Sequence, residues 1–251
     1  MIRAYIYKSV RSPLLYIGIL GVMAMCCTTF LTYDFFYGNV VNRVKLFLYG
    51  GIYRKAVAVF AALPFTANFA DEWKSGVAVN CITRKGIKKY AASNVLFCVV
   101  TTTLTAFVGM MLFSLLYSLF IPMFIYDGNP DTFLFGQFLE NGHGEIYLTL
   151  RIFVFSVSCS AWAMTGMLLS SLLPNKYVAI CAPFVASYVV ERITMQLPDY
   201  LNLWYVSLSA FSFDSDIVGF IYCVGVFTVI SAACGIIFYS FVRKRVQNEI
   251  A

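Results

Sequence analysis

His143 is the one histidine of the 251-residue chain, and it stands between Gly142 and Gly144 in a polar loop. A general base or a zinc ligand needs partners at fixed spacing. No His-Glu-x-x-His pair occurs, so a zinc peptidase has no ligands here. An intramembrane serine protease needs Ser and His facing each other within the bilayer, and His143 falls outside every apolar run. It reads as a solvated loop residue. The eight cysteines are Cys26, Cys27, Cys81, Cys98, Cys159, Cys181, Cys223 and Cys234. All but Cys81 sit inside apolar runs, none lies in a predicted outer loop, and their spacing matches no metal site. They read as small packing residues, with no disulfide expected. No Gly-x4-Gly-Lys-Ser/Thr loop exists, and Lys74-Ser75 lacks the preceding glycines. ATP hydrolysis is therefore not expected of this chain.

The richest polar grouping is Phe69-Ala70-Asp71-Glu72-Trp73-Lys74-Ser75-Gly76, continuing through Val77 to Ile82-Thr83-Arg84-Lys85-Gly86 and Lys88-Lys89-Tyr90. It is flanked by two strongly apolar segments. Its composition predicts a short helix held between two membrane helices. Gly76 can break the preceding helix at low cost. Trp73 and Ile82 offer apolar anchors, and Glu72 and Arg84 offer charged contacts, as compact interfaces prefer.

The elements around this grouping must be membrane spans. The chain is 61% hydrophobic and 12% charged, with mean hydropathy +0.79. Soluble domains run near 45–50% and about 25%. Several apolar runs of about 20 residues predict an all-α polytopic membrane protein. Spans are expected over 14–33, 52–70, 91–120 and 146–169, then from Tyr177 onward, and over 217–242. Residues 1–13 form a basic amphipathic lead-in, with Ile2, Tyr5, Ile6 and Val10 opposite Arg3, Lys8 and Arg11. No cleaved signal is expected, because no small-x-small site ends the first apolar run. Pro64 should kink the second span. Residues 193–216 are too apolar for a free loop and predict short helices folded back into the outer membrane surface.

With both termini inside, twelve Lys and Arg residues lie on the cytosolic side and six outside, which satisfies the positive-inside rule. Asp34, Asn39, Asn42, Arg43 and Lys45 then mark a polar outer segment, and Arg54 and Lys55 should snorkel outward. Glu191 lies about 22 Å along its helix from Lys176 at 1.5 Å per residue. Glu191 and Arg192 thus fall near the outer boundary, as a helix end meeting headgroups or as the rim of an outer gate. Charges do not line the span centres, which argues against an ion-coupled carrier. The cations sit at helix ends rather than on one compact face, so nucleic acid is a poor partner.

Leu63-Pro64-Phe65, the Glu72-Trp73-x-x-Gly76 segment, Thr83-Arg84 and Lys89-Tyr90 together resemble the permease subunit of type-2 ABC exporters. The likeness covers the whole chain in layout and is specific over 63–90. It implies a coupling segment over 71–86, with Asp71, Glu72, Trp73, Lys74, Gly76, Val77, Ile82, Thr83 and Arg84 meeting a separate cytosolic ATPase. It also implies two permease subunits, identical or not, with two ATPase subunits that bind ATP and Mg. No cofactor would sit in this chain, and the location would be the cell membrane. Short permeases of this kind are similar to exporters of amphipathic peptides, including lantibiotic-immunity and phenol-soluble-modulin systems. The charge-poor, Phe-rich spans suit such cargo. A small lipophilic drug or lipid as cargo, or a non-transporting scaffold, is the alternative.

Overall fold

The computed structural model describes Tyr7, residues 11–31, 38–125, 134–211, Phe213 and residues 215–250, with side chains described as far as Asn248. Most of the basic lead-in over 1–13, along with Asp34, Asp127, Asp131 and Asp214, lies outside the described residues. Every regular element among the described residues is helical. In chain order they are α1 (Pro13–Cys27, extended by a 3-10 turn Thr28–Leu31), α2 (Val40–Tyr49), α3 (Gly51–Ala62), α4 (Asn68–Lys74), α5 (Val77–Lys85) and α6 (Ile87–Tyr117). Then follow α7 (Gly136–Glu140), α8 (Gly144–Leu172), α9 (Lys176–Thr194), α10 (Leu203–Leu208) and α11 (Asp216–Ile250).

Five helices among the described residues are long and apolar enough to cross a membrane: α1 with its 3-10 turn, α6, α8, α9 and α11. The chain is a membrane-embedded helical protein. At 1.5 Å per residue, the 31 residues of α6 reach about 47 Å, beyond a hydrocarbon core of about 30 Å. α8 is the axis of the bundle. Of its apolar window 78% is buried, against 22% for α1 and for α11. A helix apolar all round belongs inside, and α6, α9, α11 and α3 pack around it. α1 lies on α3 and α6 at one flank. Gly18 and Gly21 face Phe60 there, so these small residues serve contacts within the chain.

The expected second span is broken. α3 stops at Ala62, residues 63–67 form turns, and α4 begins at Asn68. Pro64 has no N–H and crowds the carbonyl four residues back, which is Phe60. The backbone answers with short-range bonds, Leu63 N–H to the Phe60 carbonyl (3.3 Å) and Phe65 N–H to the Ala62 carbonyl (3.3 Å). The pair α3–α4 still runs the depth of the bundle. Its start is bonded to Glu191 at the end of α9, and its finish is bonded to Tyr90 at the start of α6.

Two ends follow from this. The near end carries α4, α5, the start of α6, the turn after Leu172 and the C-terminal part of α11. The far end carries α2, the start of α3, the end of α9, and α10. The described part of the expected polar outer segment, residues 38–50, is not a polar strap. α2 buries Val40, Val41, Val44, Phe47 and Leu48, and it takes Arg43 in with them. The short α10 matches the expected helix before the last span, with Val206, Ser207 and Leu208 buried.

Candidate functional site

The near-end segment is built from two consecutive short helices and the start of a long one. α4 ends at Ser75, whose hydroxyl donates to the Asp71 carbonyl (2.8 Å). Gly76 follows with φ 72°, and Gly86, after α5, has φ 83° and ψ 150°. A Cβ at either position would meet nothing within 4 Å. Backbone conformation requires glycine at both, not space. Gly86 closes α5, donating to the Ile82 carbonyl (2.8 Å), and its own carbonyl accepts from Tyr90 N–H (3.2 Å) to open α6. One residue therefore joins the two helices.

α5 has two faces. Ala78 and Ile82 point into the bundle and are buried, four residues apart on one side. Val77, Asn80, Thr83, Arg84 and Lys85 are exposed, Val77 at 45%. The exposed face thus combines one bare aliphatic side chain with two cations in the last turn. Asp71 and Lys74 are exposed beside it, at the end of α4.

Glu72 points the other way. It is 6% exposed. Its carboxyl oxygens accept from Asn68 Nδ2 (2.8 Å) and from the Tyr90 hydroxyl (2.9 Å). Asn68 Nδ2 also donates to Asn94 Oδ1 (3.3 Å), and Asn94 Nδ2 donates to the Tyr90 carbonyl (3.1 Å). The sequence reading gave Glu72 a surface role, and the geometry instead makes it the centre of a polar knot joining α4 to α6. Ile82, expected as an outward anchor, is buried as well. Trp73 is half-buried. Its ring stacks near Phe69 (5.5 Å between centroids) and lies under the Arg245 guanidinium (5.2 Å). Arg245 also donates to the Leu172 carbonyl (3.2 Å), and Phe69 packs edge-on against Phe238. Trp73 therefore ties α4 to α11.

At the far end the Glu191 and Arg192 pair is split. Arg192 is exposed, while Glu191 is 2% exposed. Glu191 Oε2 accepts from Arg54 Nη2 (2.7 Å) and pairs with Lys55 Nζ (2.9 Å). Arg54 Nη1 donates to the Ser207 hydroxyl (2.8 Å), and its guanidinium lies 5.9 Å from the Phe155 ring and 5.8 Å from Trp204. Arg54 thus does not snorkel. It is 1% exposed and joins α3, α9 and α10. Two more arginines are buried at this end. Arg43 donates to the Thr29 carbonyl (3.3 Å) and the Tyr117 hydroxyl (3.2 Å). Arg151 donates to the Tyr147 hydroxyl and the Leu208 carbonyl. The sequence reading missed this buried cationic layer. One available signal was the 40, 41, 44, 47, 48 apolar spacing around Arg43, which marks an inward helix face.

No family model matches the chain, and neither a curated protein nor a solved structure matches it. Among the described residues no three His, Cys, Asp or Glu side chains come together to hold a metal. All eight cysteines are free, and His143 is exposed in its loop. The described residues present a helix at one end, a buried polar layer at the other, and long helices between.

Proposed function

We propose that this chain is the membrane-spanning permease subunit of an ATP-driven exporter of amphipathic or hydrophobic peptides, driven by a separate cytosolic ATPase. One observation carries the reading. α5 projects an exposed Val77–Arg84–Lys85 face from the near end, while both of its connections are too short to let it move alone. A partner seated on that face would move α4 and α6 with it. With the broken pair α3–α4 counted as a crossing, the chain crosses six times. The near end, with Lys74, Arg84, Lys85, Lys88, Lys89 and Arg243–Arg245, is then cytosolic, as the positive-inside rule requires. The docking set is narrowed to the exposed residues Asp71, Lys74, Val77, Thr83 and Arg84. Glu72, Trp73 and Ile82 act from behind, by holding α5 against the bundle.

The test is ATP hydrolysis by the full chain with a candidate ATPase partner in lipid nanodiscs, with and without an amphipathic helical peptide. Peptide-stimulated turnover that disappears in Val77→Asp and in Arg84→Glu is the expected result. Both positions are exposed, so insertion and folding should persist. ATPase co-purification unchanged in both variants would overturn docking on α5. Docking that depends on them, with turnover indifferent to peptide, would overturn the peptide cargo.

A further inference from the structure

At the membrane flank a groove runs between α6 and α11, with α8 as its floor. Its volume is about 550 Å³. Along α6 it runs from Lys88 through Ala91 and Val95 to Val99, and along α11 from Tyr239 back to Thr228. Each wall spans twelve residues, and its eleven steps of 1.5 Å make about 16 Å. Half of a hydrocarbon core of about 30 Å is about 15 Å. The groove is therefore one leaflet deep, and it begins at the near end. Its walls are mainly apolar, and the hydroxyls of Thr228 and Ser231 on α11 and of Ser160 on the floor are spent on carbonyls of their own helices. The small residues Ala92 and Ala232 hold it open.

The mouth differs from the walls. Lys88 lines it and is exposed. Tyr239 sits opposite, half-buried, as interfacial aromatics do. Arg243 stands one turn beyond Tyr239 on the same helix face and is exposed. No Asp or Glu lines the groove. An apolar slot one leaflet deep with two cations at its mouth matches one kind of molecule. We infer that this groove holds an acyl chain of an anionic phospholipid from the leaflet at the near end, its headgroup phosphate between Lys88 and Arg243. Lys88 is two residues past Gly86, so the headgroup would sit beside the joint between α5 and α6. The inference does not depend on what docks on α5.

Native mass spectrometry of the full chain, released from nanodiscs of equal phosphatidylglycerol and phosphatidylcholine, tests it. The wild-type chain should retain phosphatidylglycerol at least about fivefold over phosphatidylcholine. Lys88→Gln combined with Arg243→Gln should bring the ratio close to one. Ala232→Phe fills the groove from an exposed position and should remove the retained lipid altogether. Leu119→Phe, at an exposed site outside the groove, should change nothing. Equal retention of the two lipids by the wild-type chain would overturn the inference. So would a phosphatidylglycerol preference that survives Lys88→Gln with Arg243→Gln. Ala232→Phe that splits a dimer and leaves lipid retention unchanged would also overturn it, and would assign the groove to a second copy of the chain.

Discussion

Glu72 and Glu191 are both buried acidic side chains at helix ends, and the contacts around them differ in reach. Glu191 is matched by two cations from an element 136 and 137 residues away in the chain, Arg54 and Lys55. Glu72 accepts hydrogen bonds from two neutral groups, Asn68 and Tyr90, four and 18 residues away. The far-end arrangement clamps three elements that are distant in sequence. The near-end arrangement keeps one short stretch of chain, 68–94, in a single shape. The difference separates a closure that holds the bundle together from a local brace that presents α5. A buried ion pair fixes geometry but is costly to break, because the remaining charge has no water. Losing one of the donors to Glu72 leaves a buried acceptor short of one bond, a smaller cost than stranding a buried charge.

The largest effect should come from the far end. Glu191→Ala leaves Arg54 and Lys55 facing each other without their counter-charge and should destabilise the protein by about 3–5 kcal/mol. Thermal unfolding in a fixed detergent reads it as a large downward shift. Glu191→Leu with Arg54→Leu should recover part of that loss, since the fully buried Arg54 charge is no longer stranded and only the partly exposed Lys55 is left without its partner. A double variant as damaged as Glu191→Ala would show that the pair is not the source of the stability.

At the near end the expected effects are smaller. Tyr90→Phe removes one hydrogen bond to a carboxyl group and should cost about 1.5–3 kcal/mol. The loss should be local, read as faster hydrogen exchange over 68–94 with little change across 176–208. Exchange that rises equally at both ends would erase the distinction between clamp and brace. Trp73→Ala should cost least in local order, about 0.5–2 kcal/mol for the ring stack and the cation contact with Arg245. Arg245→Gln should reproduce part of it. No effect of Arg245→Gln on exchange near Trp73 would show that α11 does not support α4.

Much of this organisation was readable from residue types. The long apolar runs specify α1, α6, α8, α9 and α11. Pro64 specifies the interruption of the second apolar run, although the break is a five-residue turn rather than a kink. Gly76 and Gly86 delimit α5, and the apolar content of 193–216 anticipates α10. What stayed hidden was which way the charges face. Arg54, Lys55 and Glu191 each lie a few residues inside a helix end, where snorkelling and burial look alike in sequence. Their pairing is set by the packing of α3 against α9, which no local pattern encodes. Glu72 was misread for a related reason. Its neighbours Asp71 and Lys74 are exposed, and only the register of α4 against α6 turns Glu72 toward Tyr90.

The single-residue link at Gly86 has a kinematic consequence. A flexible loop would let α5 drift while α6 stood still. Here the two helices share one residue's pair of backbone torsions, the only soft rotations available between them. They behave as two rods on a joint with two degrees of freedom. Torque applied to the α5 face must either turn those two angles or swing α6 as a whole, because no slack lies between.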